Sequence, residues 1–545
     1  MSASGLRRRT PVAAVAAFAV VLALGISAAP SSAAPKPNTG FTTDLQVLSV
    51  SDFHGQLDPL SGVGGAAALS AYWAADRAAQ PNTLLVTGGD TVGASPPLSS
   101  FFEDRPTIEW MNYTGFTADT FGNHNFDAGL GRLQSQIDLA SFDYVSSNLR
   151  NVEDNLTGVS PYKIYKVDNL KVAIIGVTNP EAPELVKPGN LGTIEITDPA
   201  AAAMAAQAQA RAEGAKVLVA VGHLGITGTD STGAQTGPLV DFANAVRGFD
   251  VILGDHTDVQ YSKVINNALV VENKSKGATY AKTSIRYDRR NGGSVQKSVR
   301  FVIPTASAVT PDPNVVALLA PYRTELAKAF DGKIGVATGF YPRGSNVERN
   351  QEVAIGNLTA DALRAKYGTQ IAFTNSGGLR SPMPSSYLPQ DTTLRRLAAP
   401  YVVGPPYDLV IGDVFAVLPF GNQSLTRTVT GAQLWSVLEH SVGSVPGTNG
   451  KFLQISGFKF SFDSRLPLGA KVLSVALADG TPILRDGTVY TAATNDFTNA
   501  GGDGFTMLVD GQGVTRDLLA NDLLDYIVAK GTITPVVEGR ITRLG

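Results

Sequence analysis

The sequence predicts an α/β protein with two domains, and three observations carry this prediction. Short apolar runs rich in β-branched residues alternate with helical patterns, which is typical of a parallel sheet covered by helices. The chain has 545 residues, which is too many for one hydrophobic core. A proline-rich break at 304–313 separates two segments that each contain their own strands and helices.

The first segment shows the clearest alternation of strands and helices. The predicted elements are strand Leu45–Val50, helix Gly64–Ala79, strand Thr83–Thr87, strand Lys171–Val177, helix Pro199–Glu213, strand Lys216–Val221 and strand Val251–Leu253. From 285 to 303, apolar residues alternate with polar and charged ones, which predicts an antiparallel edge that closes the sheet.

The second segment has a mixed pattern. After the break, the predicted elements are helices Asn314–Phe330, Gly356–Tyr367 and Gly431–Ser441 and strands Ile371–Thr374, Phe452–Phe460 and Thr488–Ala493. Residues 390–409 contain three prolines and are predicted to be a loop-like insertion. We therefore predict domains at 41–305 and 334–545, joined by a linker and helix at 306–333.

Residues 1–34 have the pattern of an export signal and leader. Arg7–Arg9 are basic, and Val12–Ile26 is an unbroken apolar run. This run is shorter than the ~20 residues of a membrane-spanning helix, so a cleaved signal is favoured over a retained anchor. We expect cleavage after Ala28 or Ala33 and a protein that is secreted or held in the cell envelope without a stable membrane anchor.

Composition excludes several classes of function. The chain has no cysteine, which excludes a thiol nucleophile, a cysteine-ligated metal site and a lipoprotein anchor. A net charge of −3 gives no reason to expect a nucleic-acid polymer or a membrane surface as partner. Composition leaves the oligomeric state open.

Four of the five histidines lie in five short blocks, most of which end an apolar run. Two divalent cations close together need many N and O ligands, delivered from several strand ends. Together these blocks predict a two-metal centre, although each block alone fits a structural histidine or a turn aspartate equally well. The blocks are Asp52-Phe53-His54, Gly88-Gly89-Asp90, Gly122–Asp127, Gly222-His223 and Gly254–Asp258.

The residue types indicate how the ligands are divided between two metals. Asp52 and His54 lie two residues apart where the chain leaves a strand, so both side chains can point the same way. Asp90 follows paired glycines that allow a close backbone approach, and its carboxylate can bridge two cations. The second cation would then be completed by the amide oxygen of Asn123 and the neutral imidazoles of His223 and His256.

His124 has a different predicted role. Asp127 lies three residues further on, and an imidazole oriented by a carboxylate is a general-acid arrangement. We therefore predict that His124 faces substrate. The alternative is a helix-capping asparagine at Asn123 followed by a buried histidine.

In combination these blocks resemble the exported 5'-nucleotidase family of the calcineurin-like metallophosphoesterases, a family that includes UDP-sugar hydrolases and 2',3'-cyclic-nucleotide phosphodiesterases. Four motifs in the second segment extend the resemblance: Gly356-Asn357-Leu358, Asn375–Arg380, Leu418–Asn422 and Asp496–Gly504. The resemblance implies a four-layer α/β/β/α metallophosphoesterase domain, a mixed α/β C-terminal domain that binds nucleotides, and an active site between them.

The resemblance also implies roles for individual residues and two divalent metal ions among Mn, Zn, Fe, Co and Mg. Asp52, His54 and Asp90 would hold the first metal with Asp258 in reach, and Asp90, Asn123, His223 and His256 would hold the second. Phe452 and Phe497 would sandwich the nucleobase, Asn375 and Arg380 would contact substrate near its phosphate, and Asp503 would contact the ribose. For either phenylalanine, the alternative is an ordinary core position.

The sequence departs from the family at three positions. Asn125 stands where glutamate is usual, and Asp258 stands where glutamine or asparagine is usual. A carboxylate at Asp258 would favour Mn or Fe over Zn. Gln351 lies near the position of a phosphate-clamping arginine, and Arg343 and Arg349 are the candidates to replace it.

The predicted function is metal-dependent hydrolysis of phosphate from a nucleotide, with a nucleoside 5'-monophosphate as the favoured substrate. A 2',3'-cyclic nucleotide or a nucleotide anhydride such as a UDP-sugar is the alternative. An inactive nucleotide-binding protein is a more distant alternative. A sulfur-oxidation relative that acts on a thiosulfate adduct is disfavoured by the motif around Phe497.

Overall fold

Two β-sheets face each other in the first half of the chain and form the frame of the candidate site. The structure is a computed structural model that describes residues 41–344 and 346–545, so the predicted signal and leader at 1–34 lie outside the described residues. Among the described residues, no helix has both the length and the apolar character needed to cross a membrane.

The first domain contains many short elements in chain order. Its strands are β1 (Thr42–Val50), β2 (Thr83–Thr87), β3 (Ala118–Asp119), β4 (Asp143–Val145), β5 (Leu149–Arg150), β6 (Val159–Ser160), β7 (Tyr162–Val167), β8 (Leu170–Val177), β9 (Glu195–Ile196), β10 (Val217–Gly222), β11 (Gly228–Thr229), β12 (Gln235–Thr236), β13 (Val251–Leu253), β14 (Tyr261–Ile265), β15 (Ala268–Glu272), β16 (Tyr280–Asp288) and β17 (Gly293–Val302). Its helices are α1 (Ala66–Ala79), α2 (Pro97–Ser100), α3 (Arg105–Thr114), α4 (Leu130–Leu139), α5 (Ala182–Leu185), α6 (Pro199–Ala212) and α7 (Pro238–Ala245).

These elements form four layers. One sheet has the order β17-β16-β1-β2-β3-β4-β6 and the other has the order β14-β15-β13-β10-β8-β7. Valines such as Val47 and Val219 pack between the two sheets. Trp73 of α1 packs on the outer face of the first sheet, and Leu239 of α7 packs on the outer face of the second. The predicted α/β/β/α arrangement is therefore confirmed.

The second domain follows helix α8 (Pro313–Phe330). Its strands are β18 (Lys333–Ala337), β19 (Ile371–Asn375), β20 (Arg395–Arg396), β21 (Val402–Val403), β22 (Tyr407–Val410), β23 (Gln423–Thr430), β24 (Leu453–Ser456), β25 (Phe458–Phe462), β26 (Val472–Leu477), β27 (Val489–Asn495), β28 (Val514–Leu518), β29 (Thr532–Ile533) and β30 (Ile541–Arg543). Its helices are α9 (Ala354–Tyr367), α10 (Ile411–Val417), α11 (Gly431–Ser441), α12 (Asp496–Asn499) and α13 (Leu519–Lys530). The main sheet has the order β24-β19-β27-β23-β28.

Short 3-10 turns complete the described chain. They lie at His124–Phe126, Ala306–Ala308, Val347–Arg349, Ser376–Gly378, Gly502–Gly504 and Thr506–Leu508. Helix α8 contacts α1 and α3, so the predicted linker helix packs into the core of the first domain. The domain boundaries at 305 and 334 remain predictions.

Two predicted elements are wrong in detail. The single strand expected at Phe452–Phe460 is two strands in different sheets, because Gly457 takes a left-handed φ of 83° and turns the chain between them. The loop expected at 390–409 contains β20 and β21 and runs into β22, which pairs with β18. Proline content indicated a loop, but the sheet partner that recruits β22 is distant in sequence.

Candidate active site

The predicted metal ligands leave the carboxyl ends of parallel strands. Asp52 and His54 follow β1, Asp90 follows β2, His223 follows β10 and His256 follows β13. Strands β1 and β2 are parallel neighbours, as are β10 and β13, so the two sheets deliver these side chains to one edge. Four of the five residues have positive φ: 40° at Asp52, 48° at His54, 47° at Asp90 and 78° at His256. Such strained backbone is typical of functional sites.

The side chains of these residues form one buried cluster. His223 Nε2 lies 3.0 Å from Asp90 Oδ2 and 3.9 Å from Asp52 Oδ1. His54 Nε2 lies 3.8 Å from the same Asp52 oxygen. His256 Nδ1 lies 2.9 Å from His223 Nε2, so two imidazole nitrogens point at one place. The structure thus brings together the carboxylates and imidazoles predicted as ligands.

The donor groups fit divalent cations. Among the described residues, the buried Oδ1 of Asn123 has no hydrogen-bond partner, as expected of an oxygen that binds a cation. Burial lowers the pKa of His54 well below its usual value. Burial and the neighbouring His223 lower the pKa of His256 to about 3. Both imidazoles are therefore neutral near pH 7, which is the form that binds metals.

Asp90 and His223 form a charged pair at the centre of the cluster. Burial alone would raise the pKa of Asp90, but the adjacent His223 and His124 outweigh it and hold the pKa well below normal. Burial alone would lower the pKa of His223, but the adjacent Asp90 raises it to about 9. The His223 proton thus compensates the buried negative charge that a cation would otherwise compensate.

His124 is held by contacts at both ends. Its backbone N–H donates to Asp90 Oδ1 at 2.8 Å, and its ring Nδ1 lies 2.8 Å from Asp127 Oδ2. Burial raises the pKa of Asp127 despite the adjacent His124. A Cβ at Gly93 would lie 2.3 Å from the His124 carbonyl oxygen, so Gly93 allows this close approach. The predicted dyad is therefore formed in the structure.

Asn125, one of the three departures, links two loops of the site. Its Oδ1 accepts hydrogen bonds from the backbone N–H groups of Asp90 at 3.1 Å and Gly122 at 2.8 Å. An amide oxygen can make these contacts as a carboxylate would, but with no charge. Asn125 therefore positions Asp90 and contributes no negative charge to the centre.

Phe420 of the second domain contacts His124 of the dyad. Phe420 lies in the motif Leu418–Asn422, but the motif did not mark it as a site residue. The Phe420 ring stacks on the His124 ring, with centroids 5.5 Å apart and planes at 20°. The central guanidinium carbon of Arg380 lies over the Phe420 ring, 5.6 Å from its centroid. Burial and the neighbouring Arg349 and Arg343 lower the pKa of Arg380 to about 9, so Arg380 remains a cation at neutral pH.

Two predicted substrate contacts, Asn375 near the phosphate and Asp503 at the ribose, are paired with each other. Asn375 Nδ2 donates to Asp503 Oδ2 at 2.8 Å, and Asn495 Nδ2 donates to Asn375 Oδ1 at 3.0 Å. The fifth histidine of the chain, His440, has its Nε2 2.8 Å from the Asp503 carbonyl oxygen. Asp503 itself has a positive φ of 55°. These contacts hold the predicted ribose-binding carboxylate in place.

The two predicted stacking phenylalanines have different surroundings. Phe452 is 0% exposed and belongs to the apolar core of the second domain, so it offers no free ring face here. Phe497 is half-buried, and a Cβ on Gly502 would lie 2.5 Å from its ring. Helix α5 of the first domain contacts Gly502–Gly504, and Lys187 Nζ lies 2.7 Å from Asp496 Oδ2. The sandwich remains a prediction, and of these two rings only that of Phe497 is partly exposed.

Asp258 does not belong to the groups whose ligand atoms lie within 4.8 Å of one another among the described residues, and its role as a metal ligand stays a prediction. It is exposed, and its Oδ1 accepts hydrogen bonds from Ser275 N at 3.0 Å and Ser275 Oγ at 3.1 Å. The buried carboxylate beside Asp52 and His223 is Asp255, three residues earlier. Asp255 and Asp258 lie in the same block, Gly254–Asp258, and nothing in the sequence distinguishes one from the other.

The third departure from the family concerns Gln351, for which Arg343 and Arg349 are the candidate replacements. Gln351 is exposed, whereas the Arg343 and Arg349 side chains lie 3.0 Å and 3.7 Å from the buried Glu348 carboxylate. Both arginines also act electrostatically on Arg380. Either arginine is therefore placed to supply positive charge near Arg380.

Comparisons with known proteins identify the architecture. Residues 333–510 match the family described as 5'-nucleotidase, C-terminal domain. The crystal structure of the 5'-nucleotidase precursor from Thermus thermophilus has a TM-score of 0.78 to this chain at 27% identity, covering 92% of this chain and 99% of that one. The chain has the two-domain architecture of the 5'-nucleotidases. The resemblance predicted from the motifs is thus confirmed, and the roles of individual residues remain predictions.

Two similar bacterial proteins are longer than this chain. Endonuclease YhcR of Bacillus subtilis is 28% identical over 478 residues, 83% of this chain and 37% of YhcR. Cell wall protein Lmo0130 of Listeria monocytogenes is 27% identical over 561 residues, 92% of this chain and 69% of Lmo0130. The chain therefore spans little more than a third of the length of YhcR and about two thirds of that of Lmo0130.

Proposed function

We propose that this chain is an exported, divalent-metal-dependent phosphohydrolase that releases phosphate from nucleotides, with nucleoside 5'-monophosphates as its preferred substrates. The stacking of Phe420 on His124 carries the proposal, because it joins the nucleotidase-type second domain to the catalytic dyad of the first. A substrate that contacts both domains would have its phosphate at the dyad and its nucleoside in the second domain.

The residues that would hold the metals are those whose donor atoms converge in the buried cluster. In this proposal the first cation would be held by Asp52, His54 and Asp90 and the second by Asp90, Asn123, His223 and His256. When bound, two such cations supply a hydroxide nucleophile near neutral pH and polarise a phosphoryl oxygen. The neutral forms of His54 and His256 support this assignment.

His124 would act on the leaving group. With Nδ1 held by Asp127 at 2.8 Å, its Nε2 is the atom left to donate a proton to the ester oxygen. Phe420 packs against the ring and shields it from water. Proton donation to the leaving oxygen suits a phosphate ester, whose alkoxide leaving group is otherwise strongly basic.

Arg380 would bind the phosphate. Its Nε is buried and has no hydrogen-bond partner among the described residues, so the guanidinium retains donors for a ligand. A planar guanidinium can donate two parallel hydrogen bonds to phosphate oxygens. Arg343 and Arg349 add positive charge on the same side.

The nucleoside would be bound by the second domain. Asp503, held by Asn375, offers a carboxylate to ribose hydroxyls, and the half-buried Phe497 offers a ring face to the base. Stacking on an aromatic ring tolerates any base, which favours broad base specificity. Helix α5 of the first domain contacts the adjacent Gly502–Gly504 turn, so nucleoside entry requires the domains to separate there.

The test incubates the metal-loaded protein with AMP, ADP, 2',3'-cyclic AMP or UDP-glucose, with and without a chelator, and follows each product: phosphate from AMP and ADP, 2'- or 3'-AMP from the cyclic nucleotide, and UMP with glucose 1-phosphate from UDP-glucose. We expect AMP to give the highest kcat/KM and the chelator to abolish turnover. A higher kcat/KM for the cyclic nucleotide or UDP-glucose would replace the proposed substrate class. Metal-loaded protein that binds AMP without hydrolysing any substrate would identify a nucleotide-binding protein instead.

Export is the second part of the proposal. It is supported by the basic and apolar pattern at 1–34 and by the likeness to a protein named for the cell wall. Expression of the full chain with a C-terminal tag, followed by fractionation and mass spectrometry of the amino terminus, tests it. We expect a protein outside the cytoplasm that begins near residue 29 or 34; an intact amino terminus in the cytoplasm would contradict export.

A further inference from the structure

Asp255 is a buried carboxylate of the candidate metal centre and is not among the ligands of the proposed function. It follows β13 by two residues and is 0% exposed. Ligand atoms of Asp52, His223 and Asp255 all lie within 4.8 Å of one another. Three oxygen and nitrogen donors from three strand ends at this spacing can surround a single cation.

The two oxygens of Asp255 have different environments. Oδ1 accepts a hydrogen bond from the backbone N–H of His256 at 2.9 Å. Oδ2 is buried and accepts no hydrogen bond from an N–H or hydroxyl donor among the described residues, while the Asp52 carboxyl group lies within hydrogen-bond reach of the Asp255 side chain. Its neighbour is the carboxyl group of Asp52, which is also buried. Two buried carboxylates side by side are unfavourable unless a proton or a cation compensates their charge.

The loop after β2 has room for this carboxylate. A Cβ built on Gly88 would lie 2.7 Å from both Cβ and Oδ2 of Asp255. Any side chain at position 88 would therefore collide with Asp255 and displace it. The Gly88 carbonyl oxygen also lies 3.2 Å from His223 Nδ1, which orients this imidazole. Gly88 thus places Asp255 and His223 together.

We infer that Asp255 Oδ2 is a further ligand of the metal centre, on the side formed by Asp52 and His223. This inference rests on the proposed metal-dependent function. It makes the centre richer in carboxylate oxygens, which favours Mn²⁺ or Mg²⁺ relative to Zn²⁺. The additional carboxylate expected at Asp258 is thereby placed at Asp255.

The test measures metal binding directly, independently of turnover. Full-length protein is stripped with a chelator and titrated with Mn²⁺ in a calorimeter, as wild type and as Asp255→Asn. The asparagine retains an oxygen for the His256 N–H, so the turn should hold. We expect two Mn²⁺ ions per wild-type chain and an affinity about tenfold or more weaker for at least one ion in the variant.

Thermal melts separate a ligand from a merely structural residue. Metal-free Asp255→Asn should melt at or above the wild-type temperature, because one of two facing carboxylates is gone. The rise in melting temperature caused by Mn²⁺ should be smaller than in wild type. Asp250→Asn is the matched control, since its carboxylate accepts from Leu218 N at 2.9 Å and lies outside the metal groups. It should bind Mn²⁺ as wild type does.

A second pair of variants keeps the inference falsifiable. Gly88→Ala should weaken Mn²⁺ binding when Asp255 is present and have little further effect in an Asp255→Gly background, where the collision is absent. Wild-type Mn²⁺ affinity in Asp255→Asn, or equal effects of Gly88→Ala in both backgrounds, would overturn the inference alone. A wild-type protein that binds no divalent cation would overturn the proposed function as well.

Discussion

The metal half and the nucleoside half of the candidate site differ in how their polar atoms are satisfied. In the metal half, buried oxygens of Asn123 and Asp255 accept no hydrogen bond from an N–H or hydroxyl donor among the described residues. In the nucleoside half, Asn375 and Asp503 bond to each other, and Phe452 lies in the core. The first half therefore offers buried oxygens that can bind a cation, whereas in the second half a substrate would have to replace existing contacts.

Because of this difference, we expect the two halves to respond differently to mutation. Loss of one group in the metal half leaves other buried charges uncompensated, so effects there should be large. Loss of one group in the nucleoside half removes a contact that water or a neighbour can replace, so effects there should be smaller unless the residue also belongs to the core.

The largest effect is expected from His223→Ala. This change removes the imidazole that lies 3.0 Å from Asp90 and contacts both candidate sites. One of two cations should be lost, and kcat for AMP should fall by more than the roughly 10²–10⁴-fold that accompanies loss of a general acid. Metal analysis and phosphate release measure both quantities. Full activity with one cation bound would end the two-metal centre.

His124→Ala should separate chemistry from metal binding. We expect kcat to fall by roughly 10²–10⁴-fold while two cations remain bound, because the role proposed for His124 is proton donation and not metal binding. The change Asp127→Asn should lower kcat less, because it disturbs only the orientation of the His124 ring. Loss of a cation in His124→Ala would instead make His124 a ligand.

Phe452→Ala and Phe497→Ala compare a core ring with an accessible one. Phe452→Ala should lower the free energy of unfolding by roughly 3–5 kcal/mol, because the ring is fully buried. Phe497→Ala should mainly raise KM for AMP, by the factor that corresponds to the ~1–3 kcal/mol of binding free energy typical of base stacking. Chemical unfolding and steady-state kinetics measure the two quantities. A raised KM with unchanged stability in Phe452→Ala would place Phe452 in the nucleotide pocket.

The pH dependence of the metal half follows from His223. Its pKa of about 9 lies above the unfolded value, so its proton contributes fully to the stability of the metal-free protein below pH 6.5. That contribution, roughly 1–3 kcal/mol, should be lost as pH rises through about 9. Mn²⁺ affinity should increase over the same range, because the cation displaces the proton. Unfolding and calorimetric titrations at pH 6.5–9 check both trends, and a flat Mn²⁺ affinity would contradict them.

The smallest effect is expected from Lys187→Ala, which removes an ion pair between the domains. Lys187 is 44% exposed, so its contact with Asp496 is worth only ~0–1 kcal/mol. We expect kcat/KM for AMP to fall less than about fivefold and the difference to disappear in ~0.5 M salt. A larger, salt-independent loss would show that the segment before Lys187 forms part of the pocket.

The strands that carry the candidate ligands could be predicted from the sequence because the pattern that marks each strand lies in adjacent residues. An apolar run that ends in Asp90 or His223 specifies a buried strand and its polar end without knowledge of any partner. The break at Gly457 and the recruitment of β22 by β18 could not be predicted this way, because each depends on a sheet partner far away in sequence. Phe420 was visible as a motif, but its partner His124 lies in the other domain.

Residue types and their spacing along strands were enough to predict the fold class, the metal-binding chemistry and the set of candidate ligands. The tertiary structure shows a difference in burial between Asp255 and Asp258 that their positions in the sequence do not predict. The left-handed backbone at His256 lies between them, and it leaves Asp255 buried beside Asp52 and Asp258 exposed beside Ser275. The tertiary structure likewise placed Phe452 in the core. Direction and burial depend on what packs against a residue, and spacing along the chain does not contain that information.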